Sequence, residues 1–448
     1  MTIAFRFLYR IYRTLSGIRY WGFRRFTRAG LTVLCGMVIA GILGPDSDNN
    51  VAYQGFTFLL LLLILAFSSS FFFRGRFSAT RVLPRFGTVG APLSYTVWLQ
   101  NLTGKHQMGL ALVENLADPR PSFEDWLAFQ LAYEQRARSF RYSQSKRSNP
   151  FRSASLKIAP VPPTPSKQEV QVQCELIPLR RGLLRLEGVA VARPDPLGLF
   201  RAFAEVPLPQ NVLILPKRYS LPLIGLPGTM KYQQGGVALA SNVGQSDEFV
   251  ALRDYRQGDP FRHIHWRSWA RAGKPVVKEF EDEFFVRHAL ILDTFVDHPH
   301  SDAFEEAASI AASFACTIQT QESLLDLLFI GAESYCFTAG RGVAHGEQLL
   351  EVLASVRPSR EQAFDKLERL VLNHIGSFSG CIFVLLSWDK QRRELVRKIS
   401  SLGVPLLVLV VVEAGMSNRN SFGPIEERPE RFFVLECGKI EQGLARLK

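Results

Sequence analysis

The sequence predicts a chain of three kinds of structure: two N-terminal transmembrane helices, an all-β sandwich-like middle domain, and a C-terminal α/β domain of the doubly wound class. Three observations predict it. Two apolar runs lie close together before residue 77, short strand-like runs separated by Gly, Pro and Asn follow to about residue 218, and continuous apolar runs alternate with helical periodicity from about residue 285. At 448 residues the chain exceeds one ordinary core, so several domains are expected.

The apolar runs occupy about residues 29–44 and 51–73. A crossing helix needs ~20 apolar residues at ~1.5 Å rise each, so the second run is long enough and the first marginal. The turn between them, residues 45–50, is acidic and polar. Before the first run stand Arg6, Arg10, Arg13, Arg19, Arg24, Arg25 and Arg28 without one acid; after the second stand Arg74, Arg76, Arg81 and Arg85. The positive-inside rule then predicts a two-span protein of the bacterial inner (cytoplasmic) membrane with both termini cytoplasmic. A cleaved signal peptide fits poorly, because the first run begins only near residue 29 and a second follows at once.

Residues 1–28 alternate Phe, Tyr, Leu and Trp with arginine, as an interfacial helix on anionic lipid does. Much of the net charge of +12 is accounted for here, beside a membrane span. Membrane lipid is therefore the expected partner, and nucleic acid is not. The six cysteines are scattered singly with no CxxC pair, which argues against a disulfide framework or a zinc knuckle and predicts buried thiols.

Four regions follow. Residues 1–77 form the anchor. Residues 78–218 form the sandwich-like domain, with strands at Tyr95 to Asn101, Leu110 to Asn115, Val170 to Ile177, Leu183 to Ala192 and Val212 to Pro216. An insertion at 117–166 reads as an exposed excursion containing one helix. Residues 219–284 are arginine-rich. Residues 285–448 alternate strands (His288 to Thr294, Leu324 to Ile330, Cys381 to Ser387, Val404 to Val412) with helices, which predicts a parallel sheet covered on both faces.

The most distinctive stretch runs from Asp247 to Glu283, with a Gly258-Asp259-Pro260 turn near its middle. Its arginines are suited to gripping carboxylates or phosphates bidentately, or to an internal salt-bridge network. In order it contains Glu248-Phe249, Leu252-Arg253, Tyr255, Gly258-Asp259, Arg262, Ile264, Trp266, Ala270-Arg271, Gly273 and Val277 to Glu281. This resembles the signature of the family called domain of unknown function 58. Residues 178–182, the Asp195 to Phe200 turn and Leu215-Pro216-Lys217 resemble it too; His265 departs from the Asp that many members carry there. The resemblance implies a membrane anchor, a C-terminal von Willebrand factor A-like domain, and as partners a MoxR-type AAA+ ATPase and a transglutaminase-like protein. It implies no reaction.

A von Willebrand A-type ion site would use oxygen ligands suited to Mg²⁺. The matching residues are Asp293, Asp297 and, after a later strand, Asp389, but Phe295 and Asp297 replace the serines of the usual loop. His263 and His265 alternate along a strand-like segment and would face opposite ways. No GxSxG, Walker or HExxH motif is present, and the arginines around Asp254 and Asp259 should lower those carboxyl pKa values, making poor acids. The expected function is a non-catalytic membrane-anchored scaffold without a cofactor, whose partner-binding residues are Arg253, Asp254, Tyr255, Gly258, Asp259, Arg262, Trp266 and Arg271. The alternatives are a Mg²⁺-dependent binding module and a membrane-bound hydrolase.

Overall fold

The computed structural model describes residues 2–43, 51–117, 120–138, 152–222, 249–259, 261–280, 287–296, 301–318, 324–339, 343–359, 364–413 and 431–447. Its contacts divide the chain into two compact units. One holds residues 1–217 with 297–301 and 350–356; the other holds 218–296, 302–349 and 357–448.

The first unit begins with three helices, α1 (Thr2–Arg25), α2 (Arg28–Leu43) and α3 (Val51–Ser70). Helix α3 is long and apolar enough to cross a membrane; α2, at 16 residues, is apolar but shorter. They pack through small residues of α2: a Cβ added at Gly41 would meet the Phe56 ring at 3.2 Å, and one at Gly36 would meet Leu59 at 3.5 Å. The predicted turn lies outside the described residues.

Two sheets follow. One has the order β1-β3-β7-β5, from β1 (Phe77–Val82), β3 (Leu93–Asn101), β5 (Ala154–Leu156) and β7 (Glu169–Pro178). The other has the order β2-β9-β8-β4-β6, from β2 (Phe86–Thr88), β4 (Ala111–Leu116), β6 (Ala159–Pro160), β8 (Gly182–Pro194) and β9 (Arg201–Leu215). Alternate residues of both point into one core that includes Val97, Leu99, Leu112, Leu176, Val189, Val191 and Ile214. Strand β9 begins eleven residues before the predicted strand at Val212. Pro207 and Pro209 masked it, and the ladder tolerates them at a bulge opposite Leu186/Gly188. Gly188 is needed there, because an added Cβ would stand 2.4 Å from the Val206 carbonyl oxygen.

The insertion supplies more than an excursion. Helix α4 (Phe123–Arg138) forms where a helix was expected, but β5 and β6 pair with β7 and β4, adding a strand to each sheet. Both strands are too short for alternation to reveal them. Residues 139–151 lie outside the described residues.

The Asp195 to Phe200 turn has a mechanical role. Asp195 Oδ1 accepts from the Phe200 amide at 2.6 Å and Oδ2 from the Leu197 amide at 2.9 Å, with Gly198 at φ 69°. This Asx turn drives Phe200 into the helices, where its ring meets Phe26 (5.2 Å), Phe67 (5.5 Å) and Trp21 (6.1 Å). Thr27 donates to the Gly198 carbonyl at 2.5 Å through its hydroxyl and to the Leu199 carbonyl at 3.0 Å through its amide. Gly30 lies so close that an added Cβ would stand 2.0 Å from the Leu199 oxygen. Gly30→Ala is therefore expected to cost roughly 1–3 kcal/mol by overpacking and to open this joint to protease. Gly22→Ala, where an added Cβ meets nothing within 4 Å, should leave the cleavage pattern unchanged.

Arg81 corrects the charge count used for topology. It lies in the inward row of β1 with Phe77 and Ala79, buried, with Nη1 on Glu114 Oε2 at 2.8 Å and Nη2 donating to the Leu208 carbonyl at 2.5 Å. Sequence proximity to the apolar run made it look like a flanking charge; strand alternation turns it into the core instead. Burial raises Glu114 to about 7, against the opposing pull of Arg81 and Tyr95, and burial raises neighbouring Cys174 to about 12. Cys174 and Cys381 are buried as expected, but Cys35 and Cys336 are exposed, on the apolar α2 and on a strand at the end of a sheet.

In the second unit a two-stranded antiparallel ribbon pairs β10 (Phe249–Asp254) with β11 (Val276–Phe280), enclosing helix α5 (Trp266–Ala272). A six-stranded sheet follows, built from β12 (Arg287–Leu292), β13 (Leu324–Ile330), β14 (Ser334–Ala339), β15 (Gly380–Leu385), β16 (Leu406–Val412) and β17 (Phe432–Glu436). Its order is β14-β13-β12-β15-β16-β17, parallel throughout except for β14, which runs antiparallel at one edge. The helices of this part of the chain are α6 (Asp302–Ile318), α7 (Val343–Ser355), α8 (Phe364–His374), α9 (Lys390–Ser401) and α10 (Ile440–Leu444). Helices α8 and α9 close one core with Leu367, Val371, Leu395 and Ile399 against Ile291, Leu328, Phe383 and Val408. Helix α6 buries Phe304, Ala308, Ala311 and Phe314, and touches β12, β13, β15 and β16.

Candidate functional site

The ribbon carries the arginine-rich signature, and two ion pairs close within it, Arg253 with Asp259 and Asp254 with Lys274. Arg253 on β10 meets Asp259 with two parallel bonds, Nη1 to Oδ2 at 2.7 Å and Nη2 to Oδ1 at 2.8 Å. Asp259 Oδ2 also accepts from the Arg256 amide at 2.8 Å, and the Asp259 amide donates to the Arg256 carbonyl at 3.0 Å. Gly258 sits at φ 108° in this turn, which explains glycine there. These bonds, with Arg253 first, hold the Asp259 carboxyl at about 2, in the direction its sequence neighbours suggested. Asp254 pairs with Lys274 at 2.7 Å, both well exposed.

Aromatic rings take up the exposed surface. Tyr255 stacks on Phe261 (centroids 6.2 Å, 16°), and Trp266 stacks on Trp269 (5.2 Å, 17°). Phe261 is 73% and Trp266 64% exposed, whereas Ile264, Val276 and Val277 of the same segment are buried. Arg267 and Arg271 of α5 are exposed beside the tryptophans, and Gly273 ends the helix at φ 67°. Of the predicted partner-binding residues, Arg253, Asp254, Tyr255, Gly258, Asp259, Trp266 and Arg271 all fall on this ribbon and its enclosed helix. The Arg262 side chain lies outside the described residues. Phe261 and Trp269 belong to the same surface and were missed; their signal was aromatic spacing around the charged positions. His263 lies in a 3-10 turn and His265 precedes α5, so the strand-like alternation expected of them does not form. His265 Nδ1 instead meets Ser268 Oγ at 2.7 Å.

The second candidate site lies at the carboxyl ends of β12 and β15. Asp293 follows β12 directly and is fully buried. Its Oδ1 accepts from the Phe295 amide at 3.0 Å and its Oδ2 from the Leu386 amide at 3.0 Å. Asp389 caps α9, accepting from the Arg392 amide at 3.0 Å. The sequence brought Asp293 and Asp389 together as ion ligands, and the fold does bring them together, around Arg392. Its Nε donates to Asp293 Oδ2 at 2.6 Å, its Nη1 contacts Asp389 Oδ2, and its guanidinium covers the Phe364 ring at 5.0 Å. A tethered cation thus occupies the position between the two carboxylates. Thr294 turns into the core, donating to the Ile330 carbonyl at 2.6 Å. Asp297 lies outside the described residues, and no cluster of three or more His, Cys, Asp or Glu suited to a metal is found among the described residues.

Residues 251–384 match the family described as "Protein of unknown function DUF58". The DUF58 span runs from β10 through β15 and includes the ribbon and Asp293, but it ends before Asp389 and Arg392. The chain is 30% identical over 214 residues to "Uncharacterized protein YeaD" of Bacillus subtilis (strain 168), which covers 47% of this chain and 51% of that protein. The chain therefore spans about half the length of this curated relative. Among solved structures, the CARDB domain of PF1109 from Pyrococcus furiosus covers 31% of this chain and 94% of its own, at 12% identity and a TM-score of 0.17. A β-glucosidase from Listeria innocua covers 32% of this chain and 16% of its own, at 14% identity and a TM-score of 0.17. At such scores neither likeness informs fold or function beyond the DUF58 match.

Proposed function

We propose that this protein is a non-catalytic, membrane-anchored interaction scaffold. Helices α2 and α3 hold it in the bacterial inner membrane as two spans with both termini cytoplasmic, and residues 285–448 form a von Willebrand factor A-like domain. The ribbon presents its docking surface to a MoxR-type AAA+ ATPase in an envelope process, with a transglutaminase-like protein as a further member of the assembly.

The observation that carries this reading is the exposed aromatic face of the ribbon. Asp259 is held by Arg253, while Phe261 and Trp266 stand exposed to solvent. Large rigid rings ringed by arginine are the composition of interface hot spots, and acids held ionised by internal pairing are poorly placed for proton transfer. Arg392 between Asp293 and Asp389 favours contact over the Mg²⁺-dependent alternative, since a divalent ion there would have to displace a buried guanidinium.

Co-purification from detergent extract tests the proposal. The wild-type chain should retain the ATPase, and a Phe261→Ala/Trp266→Ala variant should lose at least about tenfold in retention, since hot-spot truncations cost ~2 kcal/mol or more. An Arg253→Ala variant should lose retention indirectly, through collapse of the Asp259 turn. Unchanged retention in the aromatic variant would remove the ribbon from the account.

A further inference from the structure

We propose that the partner docks on the ribbon through an acidic segment, with aspartate or glutamate set between apolar side chains; this rests on the ribbon being a docking surface at all. From Pro260 to Lys278 the sequence holds five bases, Arg262, Arg267, Arg271, Lys274 and Lys278, and no acid. The two carboxylates just before that stretch are already engaged, Asp259 by Arg253 and Asp254 by Lys274. Arg267 and Arg271 are not so matched. Both are exposed on α5, and neither side chain makes an ion pair or hydrogen bond among the described residues.

The helix itself does not account for these charges. Arg267 and Arg271 stand at i and i+4, so two like charges share one face and repel. Arg267 also lies in the first turn, where the helix dipole favours an acid, and α5 has none there. Only Arg271, in the last turn, suits the dipole. A carboxylate on each guanidinium would relieve both effects, in the paired bonding by which Arg253 holds Asp259 in the same ribbon. Acids alone would leave the neighbouring rings in water, so apolar side chains between them complete the fit. Trp266 is already stacked on Trp269 and Tyr255 on Phe261, which leaves no gap within either pair for a base to enter. Carboxylates of a protein segment are therefore the anions that match this surface, ahead of a nucleic-acid strand.

Binding of short labelled peptides to the full chain in mild detergent tests this by fluorescence anisotropy. One peptide carries a leucine after every two glutamates, the other a leucine after every two lysines. Wild type should bind the glutamate peptide at least about tenfold more tightly than the lysine peptide, and raising salt from ~0.05 M to ~0.5 M should weaken it several-fold. Arg267→Glu/Arg271→Glu should reverse the order, losing roughly tenfold for the glutamate peptide and gaining the lysine peptide. That gain requires a folded surface, so it tells lost charge from lost structure. Arg267→Lys/Arg271→Lys should keep part of the glutamate preference, because the charge remains and the planar fork does not.

Equal affinity of wild type for the two peptides, or a glutamate preference that survives the charge reversal, overturns the acidic assignment. If the reversed variant binds neither peptide, a wild-type affinity that salt leaves unmoved overturns it as well. A single-stranded oligodeoxynucleotide that displaces the glutamate peptide more effectively than unlabelled glutamate peptide would reassign the surface to nucleic acid. Retention of the ATPase reports separately on docking. Retention that falls in Phe261→Ala/Trp266→Ala but not in Arg267→Glu/Arg271→Glu keeps docking and overturns the acidic segment; retention unchanged in both overturns docking itself.

Discussion

Arg392→Ala is expected to destabilise the second unit by about 3–5 kcal/mol, the usual cost of stripping one partner from a buried ion pair. Asp293 is fully buried and its Oδ2 takes the Arg392 Nε at 2.6 Å, so the variant leaves a carboxylate in the core held, among the described residues, by the Phe295 and Leu386 amides. It also removes the cation from the Phe364 ring and leaves the α9 cap without its second contact. Urea denaturation of the full chain in detergent measures the loss. A second variant, Asp293→Asn/Arg392→Met, should recover most of it, because the charge and its counter-charge leave together. If the single variant unfolds at the wild-type midpoint, the guanidinium does not sustain this site.

A change of similar size is expected in the first unit from pH alone. Glu114 sits at about 7 in the folded chain against an ordinary 4.5, chiefly through burial. Between those values the folded chain keeps a proton that the unfolded chain has lost, so unfolding releases a proton and stability falls as pH rises. The slope approaches ~1.4 kcal/mol per pH unit, or about 3 kcal/mol across the window, and flattens below 4.5 and above 7. Glu114→Gln should abolish that slope. Arg81→Met should shift the window upward, because Arg81 is the charge that pulls Glu114 down. Urea midpoints for the three chains across that window and just above it check both statements; a wild-type midpoint independent of pH would show that Glu114 is not raised by burial.

Several elements were legible in the residues because one periodicity dominated them. Leu324–Ile330 reads as a strand to the residue, since an apolar run of that length, broken only by Asp326, has few other uses. Helix α9 reads from Asp389 to Gly403 because a capping acid opens it and a glycine at φ 70° follows it. The first half of β9 was hidden by prolines that a bulge accommodates, and β5 and β6 by their length.

The candidate site was legible in part for a related reason. The signature located the ribbon, but not that Arg253 spends its charge on Asp259 six residues later, because a turn's closure depends on Gly258 adopting positive φ. Arg392 was lost inside a charged run that reads as solvated. Yet Arg392, Leu395, Val396 and Ile399 stand at i, i+3, i+4 and i+7, the spacing of one buried helix face, and that register alone turned the arginine inward.

In the proposed reading the ribbon docks a partner by aromatic contact, and Arg392, in place of a divalent ion, completes the Asp293 site. Affinity of the detergent-solubilised chain for a nucleotide-free MoxR-type ATPase, measured with and without chelator, tests it most directly. One affinity is expected in EDTA and in excess Mg²⁺ or Mn²⁺, with a loss of at least about tenfold in Trp266→Ala. An affinity that chelation abolishes and Trp266→Ala leaves intact would contradict it.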